Sequence, residues 1–127
     1  MKRLSVLLLL VAIAGACAPA PRSVIIEIHY SHYSTSQIDV PAGVPITFTI
    51  RNLDPIDHEW MIGDLAMHER HRLGTEAVHA SRPDEITIPA LSTRTTTLTF
   101  PVPMTLEYMC HLPGHEQYGM VGMLVAK

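Results

Sequence analysis

The sequence of 127 residues predicts one all-β domain, an antiparallel sandwich or barrel. Apolar and polar residues alternate with period two along several short segments, which is typical of strands that bury one face. Turn-forming residues separate the segments. The turns are Pro41-Ala42-Gly43, Asp54-Pro55, Pro89, Pro101 with Pro103, and Pro113-Gly114. This pattern argues against a parallel sheet joined by crossover helices.

The sequence predicts five strands, three from alternation and the last two as the segments that flank the loop from Cys110 to Met120. They are the segments 26–30, 46–50, 93–100, 105–109 and 121–126. The first would bury Ile26, Ile28 and Tyr30. We also expect Trp60 and Met123 to fill the core, because large apolar side chains usually pack inside a domain.

The segment 63–84 breaks the alternation and is rich in charged residues, so it predicts a long loop or a short helix that covers one end of the sandwich. Within it, His68 and His71 would share one face of a helix. Together with Met67 and His79 they could hold a second copper or zinc ion. The alternative, a solvated charged loop, is favoured because two histidines and a methionine are an incomplete ligand set.

The first residues have the layout of a secretory signal. Lys2 and Arg3 precede an apolar run that is too short to span a bilayer, and Ala14-Gly15-Ala16 satisfies the small-x-small rule for cleavage before Cys17. We therefore predict export. The expected divisions are a signal peptide at 1–16, a short linker at 17–22 and the folded domain at 23–127.

Cys17 would become the N-terminal residue after this cleavage. The tetrad that ends at Cys17 resembles a bacterial lipoprotein box, in which the cysteine is acylated and anchors the protein to a membrane. A cysteine placed there by chance is the alternative. The expected location is the bacterial periplasm or the outer face of the membrane, with or without a lipid anchor.

The charge of the chain argues against nucleic-acid binding. The formal net charge of −3 becomes −5 once Lys2 and Arg3 leave with the signal, and nucleic-acid binding normally needs a clustered basic surface. A content of 47% hydrophobic and 17% charged residues also excludes a disordered chain.

Cys110 is predicted to be unpaired. Its possible partner, Cys17, stands on a proline-rich tether beside the signal, which is a poor position for a disulfide to a core strand. Thiols oxidise in exported proteins, so a lone cysteine there needs a role, and metal ligation is a common one.

A thiolate, an imidazole and a thioether stand close together near the end of the chain, in a sequence that also holds eight histidines and seven methionines. Four residues separate Cys110 from His115, and four more separate His115 from Met120. The turn at Pro113-Gly114 allows a tight loop between the last two strands. This donor set selects copper, whereas structural zinc would favour paired cysteines. A copper site with a thiolate and a weakly bound methionine takes two imidazoles. The second one is expected from His58, in the loop after the second strand.

The sequence resembles the cupredoxins, the relatives of plastocyanin and azurin. The Pro41-Ala42-Gly43 turn before the strand 46–50, the residue Asn52 six positions before His58, and the loop that starts at Cys110 carry the resemblance. It implies a cupredoxin-like Greek-key β-sandwich or barrel with one irregular or short helical insert around 63–84.

The resemblance also implies a single type 1 copper site. The ligands it implies are His58, Cys110, His115 and Met120. Asn52 would tie the first ligand loop to the second through hydrogen bonds around the cysteine sulfur. His111 directly follows a ligand, so it is expected at the surface or in support of the site, since adjacent strand residues point to opposite sides.

The expected function is that of an exported blue copper protein, a monomer that carries single electrons between redox partners. A partner would dock transiently at the exposed edge of His115, framed by Leu112, Pro113 and Met61. An enzyme is not expected, because copper enzymes of this fold have further domains and a dinuclear site would need a second cysteine in the loop.

The alternative function is a periplasmic copper-binding protein for copper sequestration, delivery or tolerance. It is motivated by the histidines of the segment 63–84 beside a complete first site.

Overall fold

The structure is a computed structural model in which residues 22–75 and 82–127 are described. These residues form nine strands and one helix. The elements are β1 Arg22–His29, β2 His32–Tyr33, β3 Gln37–Val40, β4 Pro45–Asn52, β5 His58–Gly63, α1 Leu65–Arg72, β6 Glu85–Ile88, β7 Thr93–Thr99, β8 Met104–Met109 and β9 Val121–Ala126. The predicted signal peptide, Cys17 and His79 lie outside the described residues.

Two sheets face each other, as a β-sandwich requires. The first has the order β2-β1-β4-β7 and the second the order β3-β9-β8-β5-β6. The all-β prediction is therefore confirmed, but the sheets are not wholly antiparallel. β1 pairs with β4 and β3 pairs with β9 in parallel. The chain can make these parallel pairs without crossover helices because it passes into the other sheet between the paired strands.

Alternation builds the core, as the sequence predicted. Ile26 and Ile28 of β1 and Phe48 of β4 are completely buried, and Phe48 packs against Trp60 of β5 with a ring separation of 5.0 Å. β5 is buried along its whole length because it lies inside the second sheet and under the helix. The prediction for Trp60 is confirmed.

Two predicted core residues are exposed. Tyr30 is 80% exposed because the strand ends at His29 and the chain turns back there to form β2. Met123 is 42% exposed because it points to the outer face of β9, away from Leu124. For Tyr30 the alternation was extended past the end of the strand, whereas for Met123 the apolar residue type was taken as the guide although its position in β9 places it on the outer face.

The turn between β1 and β2 uses two residues with left-handed backbone. Tyr30 has a φ of 52° and Ser31 a φ of 54°, which non-glycine residues rarely adopt. The side chain of Asp54 stabilises the turn, since its carboxylate accepts hydrogen bonds from the backbone N–H of Tyr30 at 2.7 Å and of Ser31 at 2.8 Å. The turn thus fixes the position of Asp54.

The helix α1 is the insert that the sequence predicted between 63 and 84. Asp64 caps its N-terminus by accepting a hydrogen bond from the backbone N–H of Met67 at 2.7 Å. Gly74, with a φ of 64°, follows its end. Only Met67 and His68 of the helix are buried. No helix among residues 22–75 and 82–127 is long and apolar enough to cross a membrane.

Two tyrosine hydroxyls bond to the backbone of segments that are distant along the chain. The hydroxyl of Tyr33 donates to the carbonyl of Glu59 at 2.6 Å, and that of Tyr108 donates to the carbonyl of Thr35 at 2.6 Å. Burial raises the pKa of Tyr33 well above its ordinary value and the pKa of Tyr108 to about 12.

These raised pKa values predict a loss of stability in alkali. Above pH 10.0, the ordinary pKa of tyrosine, the unfolded chain releases these two protons while the folded chain keeps them. The unfolding free energy of the metal-free protein should therefore fall as the pH rises from 10 toward 12. Denaturant titrations at each pH measure it, and Tyr108→Phe should reduce the slope. An equal slope in the variant would contradict the prediction.

Candidate metal centre

Three donor atoms converge at one end of the sandwich. Nδ1 of His115 lies 3.2 Å from Nδ1 of His58 and 3.2 Å from Sγ of Cys110. A donor atom from each of the three residues lies within 4.8 Å of the other two, close enough for one ion to bind all three. His58 and Cys110 are completely buried, whereas His115 is partly exposed. The structure thus brings together three of the four residues expected from the sequence.

The loop between β8 and β9 holds two of these donors in a short hydrogen-bonded frame. The backbone N–H of Cys110 donates to the carbonyl of Met120 at 3.1 Å, and the N–H of Met120 donates to the carbonyl of His115 at 3.1 Å. Gly114 and Gly119 adopt positive φ values of 87° and 94°, which let the loop turn this tightly.

Met120, the fourth expected ligand, is completely buried and packs in the core cluster that contains Cys110. Its backbone closes the loop that carries the other two C-terminal donors. Its thioether would supply the weak fourth donor of a copper site that has two imidazoles and one thiolate. The donor set therefore fits copper.

His58 is oriented by a carboxylate. It begins β5, and its Nε2 lies 2.9 Å from Oδ2 of Asp54, which leaves Nδ1 facing His115 and Cys110. Such a carboxylate partner fixes the ring and its tautomer and makes the imidazole a better ligand.

Asp54 is suited to this role by its charge. Burial alone would raise the pKa of its carboxyl, but the hydrogen bonds from Ser31, Tyr30 and His58 together lower the pKa below its usual value. Asp54 is therefore an anion that accepts a hydrogen bond from His58. A signal for this role was available in the sequence, since Asp54 stands four residues before the expected ligand.

The sulfur of Cys110 lies in a dry environment. Burial raises the pKa of the thiol, although hydrogen bonds from the backbone N–H groups of Glu59 and Leu112 oppose the change. The N–H of Glu59 lies 3.4 Å from Sγ. Burial also lowers the pKa of His115, and the neighbouring His58 adds to this effect. A neutral imidazole has the free electron pair that a metal needs.

The role expected for Asn52 is wrong. Its side-chain amide donates to the carbonyls of Ile56, Ile88 and Pro89 at 2.7 to 3.1 Å, and so it joins the His58 loop to the end of β6. These contacts are far along the chain from the cysteine loop. The hydrogen bond to the sulfur comes from the backbone of Glu59 instead, the residue that follows His58.

One further expectation near the site is wrong. Met61 cannot frame a docking surface, because it is completely buried in β5. For His111, the structure excludes the surface position, since only 4% of its side chain is exposed. Its Nε2 lies 2.9 Å from Nδ1 of His68, and its ring lies 4.8 Å from that of His71.

The helix α1 presents His68 and His71 on one side, as the spacing predicted. His68 is also within 3.1 Å of the carbonyl of Glu107. Met67 packs against Gly63 and is not among the groups that contact His111. Of the expected second ligand set of Met67, His68, His71 and His79, His79 lies outside the described residues, and the two helix histidines contact His111. Sequence reasoning missed that His111 joins the two helix histidines.

Comparisons with known proteins agree with this architecture. A family model described as a cupredoxin-like domain matches residues 3–91, a range that includes His58 and ends before Cys110.

Two curated proteins named copper-resistant cuproprotein CopI are similar to the chain over most of its length. The one from Pseudomonas aeruginosa is 25% identical over 142 residues, which cover 87% of this chain and 78% of that protein. The one from Rubrivivax gelatinosus is 27% identical over 118 residues, which cover 89% of this chain and 71% of that protein.

Solved structures of auracyanins share the fold. Auracyanin B superposes with a TM-score of 0.70 at 19% identity, over 86% of this chain and 90% of its own. The auracyanin of Roseiflexus castenholzii gives 0.68 at 22% identity, over 83% and 96%. Auracyanin A of Chloroflexus aurantiacus, described as a "blue" copper protein, gives 0.66 at 22% identity, over 85% and 100%. This likeness confirms the predicted sandwich.

The hydrogen bond between Asp54 and His58 yields a prediction. Asp54→Asn removes the anion that orients the ring, so the affinity for Cu(II) should fall by about 10- to 100-fold. Competition with a chelator of known affinity measures it. Asp57→Asn is the matched control, because Asp57 lies in the same loop but bonds to the backbone N–H of Ala90. Equal affinities for the two variants would show that Asp54 does not support the site.

Proposed function

Because the chain belongs to the cupredoxin-like family, as its sequence indicated, we propose that it is an exported type 1 copper protein that carries single electrons between redox partners. The observation that supports this proposal is the convergence of His58, His115 and Cys110 within 4.8 Å beside the buried Met120. Copper is the metal that this family and this donor chemistry have in common. When bound, it supplies a couple between Cu(II) and Cu(I).

The fold restrains the donors so that they serve both oxidation states. His58 is fixed by Asp54, and Cys110 is fixed by the N–H of Glu59 and by its backbone bond to Met120. Thiolate and thioether donors suit Cu(I), and imidazoles suit Cu(II). A centre held this rigidly rearranges little when one electron enters or leaves.

The difference in exposure among the proposed ligands supports His115 as the route by which an electron would pass to a partner. His58, Cys110 and Met120 are completely buried, so His115 is the ligand whose side chain reaches the surface. Pro113 is exposed in the same loop, and Leu112 is half-buried. A redox partner would meet this apolar edge transiently and over a small area.

The protein is proposed to act outside the cytoplasm, in the periplasm or on the outer face of the membrane. The support is the signal-like segment 1–16 followed by Cys17, which would also be the site of a lipid anchor. We propose that the domain works as a monomer.

The ligand set is tested by the visible spectrum of the full chain after addition of Cu(II). An intense band from thiolate-to-copper charge transfer is expected, because Cys110 supplies the sulfur. Cys110→Ser should abolish the band. Met120→Leu should keep it and change the reduction potential, whereas Met123→Leu, an exposed methionine three residues away, should change neither. A wild-type chain that binds copper without the band would refute the type 1 assignment.

A second candidate function is copper tolerance, in which the chain binds copper to keep it from other targets. The specific support is that both curated relatives, similar over 87% and 89% of this chain, are named copper-resistant proteins. The same ligands would serve this function.

The two functions predict different outcomes on deletion of the gene. Copper tolerance predicts that the deletion strain stops growing at lower copper concentrations and that wild-type protein, but not Cys110→Ser, restores growth. Electron transfer alone predicts equal copper sensitivity, with copper kept by the purified protein through repeated cycles of reduction by ascorbate and reoxidation. Loss of copper to a Cu(I) chelator in the first cycle would argue against the carrier.

A further inference from the structure

A second group of donor side chains lies beside the proposed copper ligands. Glu59 follows His58 along the chain, and His111 follows Cys110. Neighbouring residues of an extended chain point to opposite sides, so these two side chains point away from the first site. They meet the helix α1, whose His68 and His71 contact His111.

The closest part of this group consists of Glu59, His71 and Glu85. A donor atom from each of the three lies within 4.8 Å of the others. Nε2 of His71 is 3.4 Å from Oε2 of Glu59, and Nδ1 of His71 is 3.8 Å from Oε1 of Glu85. They come from β5, α1 and β6, three elements that are separate in the sequence and that the fold brings together.

Burial distinguishes this group from a chance cluster of surface charges. Glu85 is completely buried, Glu59 is 8% exposed, and only 9% of the His71 side chain is exposed. A cation bound between these side chains would be shielded from bulk water, and its attraction to the two carboxylates would be stronger there than at the surface.

An ion can reach this group from the surface. A cleft of about 250 Å³ opens beside it, lined by His71, Arg72, His111 and Glu116 together with the 112–114 turn of the copper loop. Of the three donor residues, His71 lines this cleft, so an ion entering from the surface would meet its ring first.

We propose that Glu59, His71 and Glu85 form a second metal site, which binds a divalent transition-metal ion, with Cu(II) preferred. Carboxylate and imidazole donors without a thiolate suit divalent Cu and Zn, and among such ions Cu(II) binds most tightly. This site is distinct from the first, and its existence does not depend on the electron-carrier function. It also replaces the set of Met67, His68, His71 and His79 that the sequence suggested.

The two sites differ in a way that one titration can separate. The full chain is first given one equivalent of Cu(II), and its visible band is recorded. A further equivalent should bind with a dissociation constant of about 1 μM or tighter and add an electron paramagnetic resonance signal without adding to the visible band. Total copper should reach two ions per chain. Saturation at one ion per chain would refute the second site.

Variants assign the second ion to this group. Glu85→Gln and His71→Asn should each weaken its binding at least tenfold and leave the visible band unchanged. The matched controls are Glu27→Gln and His32→Ala, which alter a carboxylate and an imidazole outside the group, and both should keep two ions. A second ion that persists in the first pair, or is lost equally in the controls, would mean binding elsewhere on the chain and would refute the assignment.

Two further measurements distinguish loss of the second site from misfolding of a variant and from failure of the proposed function. Circular dichroism of each metal-free variant reports whether it folds, and His71→Asn, on the helix, tests the site if Glu85→Gln does not fold. If the group is only a set of ion pairs, the variants lower the thermal stability of the metal-free protein while the wild type binds one ion, and the proposal fails. Absence of the visible band would instead count against the proposed function and leave the count of colourless copper as the test of the second site.

Discussion

The carboxylate of Asp54 holds together the end of the sandwich at which the donor atoms lie. It accepts hydrogen bonds from Tyr30 and Ser31 in the turn between β1 and β2, and it contacts Nε2 of His58 at the start of β5. Its own backbone carbonyl accepts a bond from Leu91, in the turn before β7. One residue thus connects three loops. Tyr30 and Ser31 have left-handed backbone, which is unfavourable for residues other than glycine. The Asp54 carboxylate that stabilises this turn also sets the orientation of His58.

The second constraint is the alternation of β5 and of the end of β8. At each place one residue faces the first site and the next faces the helix: His58 then Glu59, and Cys110 then His111. Glu59 contributes to both sides, since its N–H bonds to the cysteine sulfur while its carboxylate lies beside His71. In β5, a single peptide unit therefore separates His58, which belongs to the sulfur-containing donor set, from Glu59, which belongs to the carboxylate set.

Local features of the chain were predictable from sequence because their causes are local. Period-two alternation gave the strands around Ile26 and Phe48, and the spacing from Cys110 to Met120 gave a loop that the structure closes with backbone hydrogen bonds. Tyr30 was misplaced because alternation carries no information about where a strand ends.

Long-range features were not predictable in this way. Glu59, His71, Glu85 and His111 are separated by 12 to 26 residues, and no spacing rule brings them together. Their proximity depends on the pairing of β5 with β6 and on where α1 packs. The partners of Asn52 likewise depend on the path of the loop after β6. The resemblance predicted a contact with the cysteine loop, but in this structure the backbone at Ile88 and Pro89 accepts the hydrogen bonds of Asn52.

The donor chemistry of the two groups has opposite consequences for a change of oxidation state. The first group contains a thiol and a buried thioether, soft donors that would hold copper as Cu(I) as well as Cu(II). The second contains two carboxylates and an imidazole, which favour divalent ions and offer no soft donor to a monovalent one. Reduction would therefore weaken binding at the second group while the first retains its ion. A chain with both groups would combine a permanent redox centre with a site whose occupancy follows the supply and the oxidation state of copper around it.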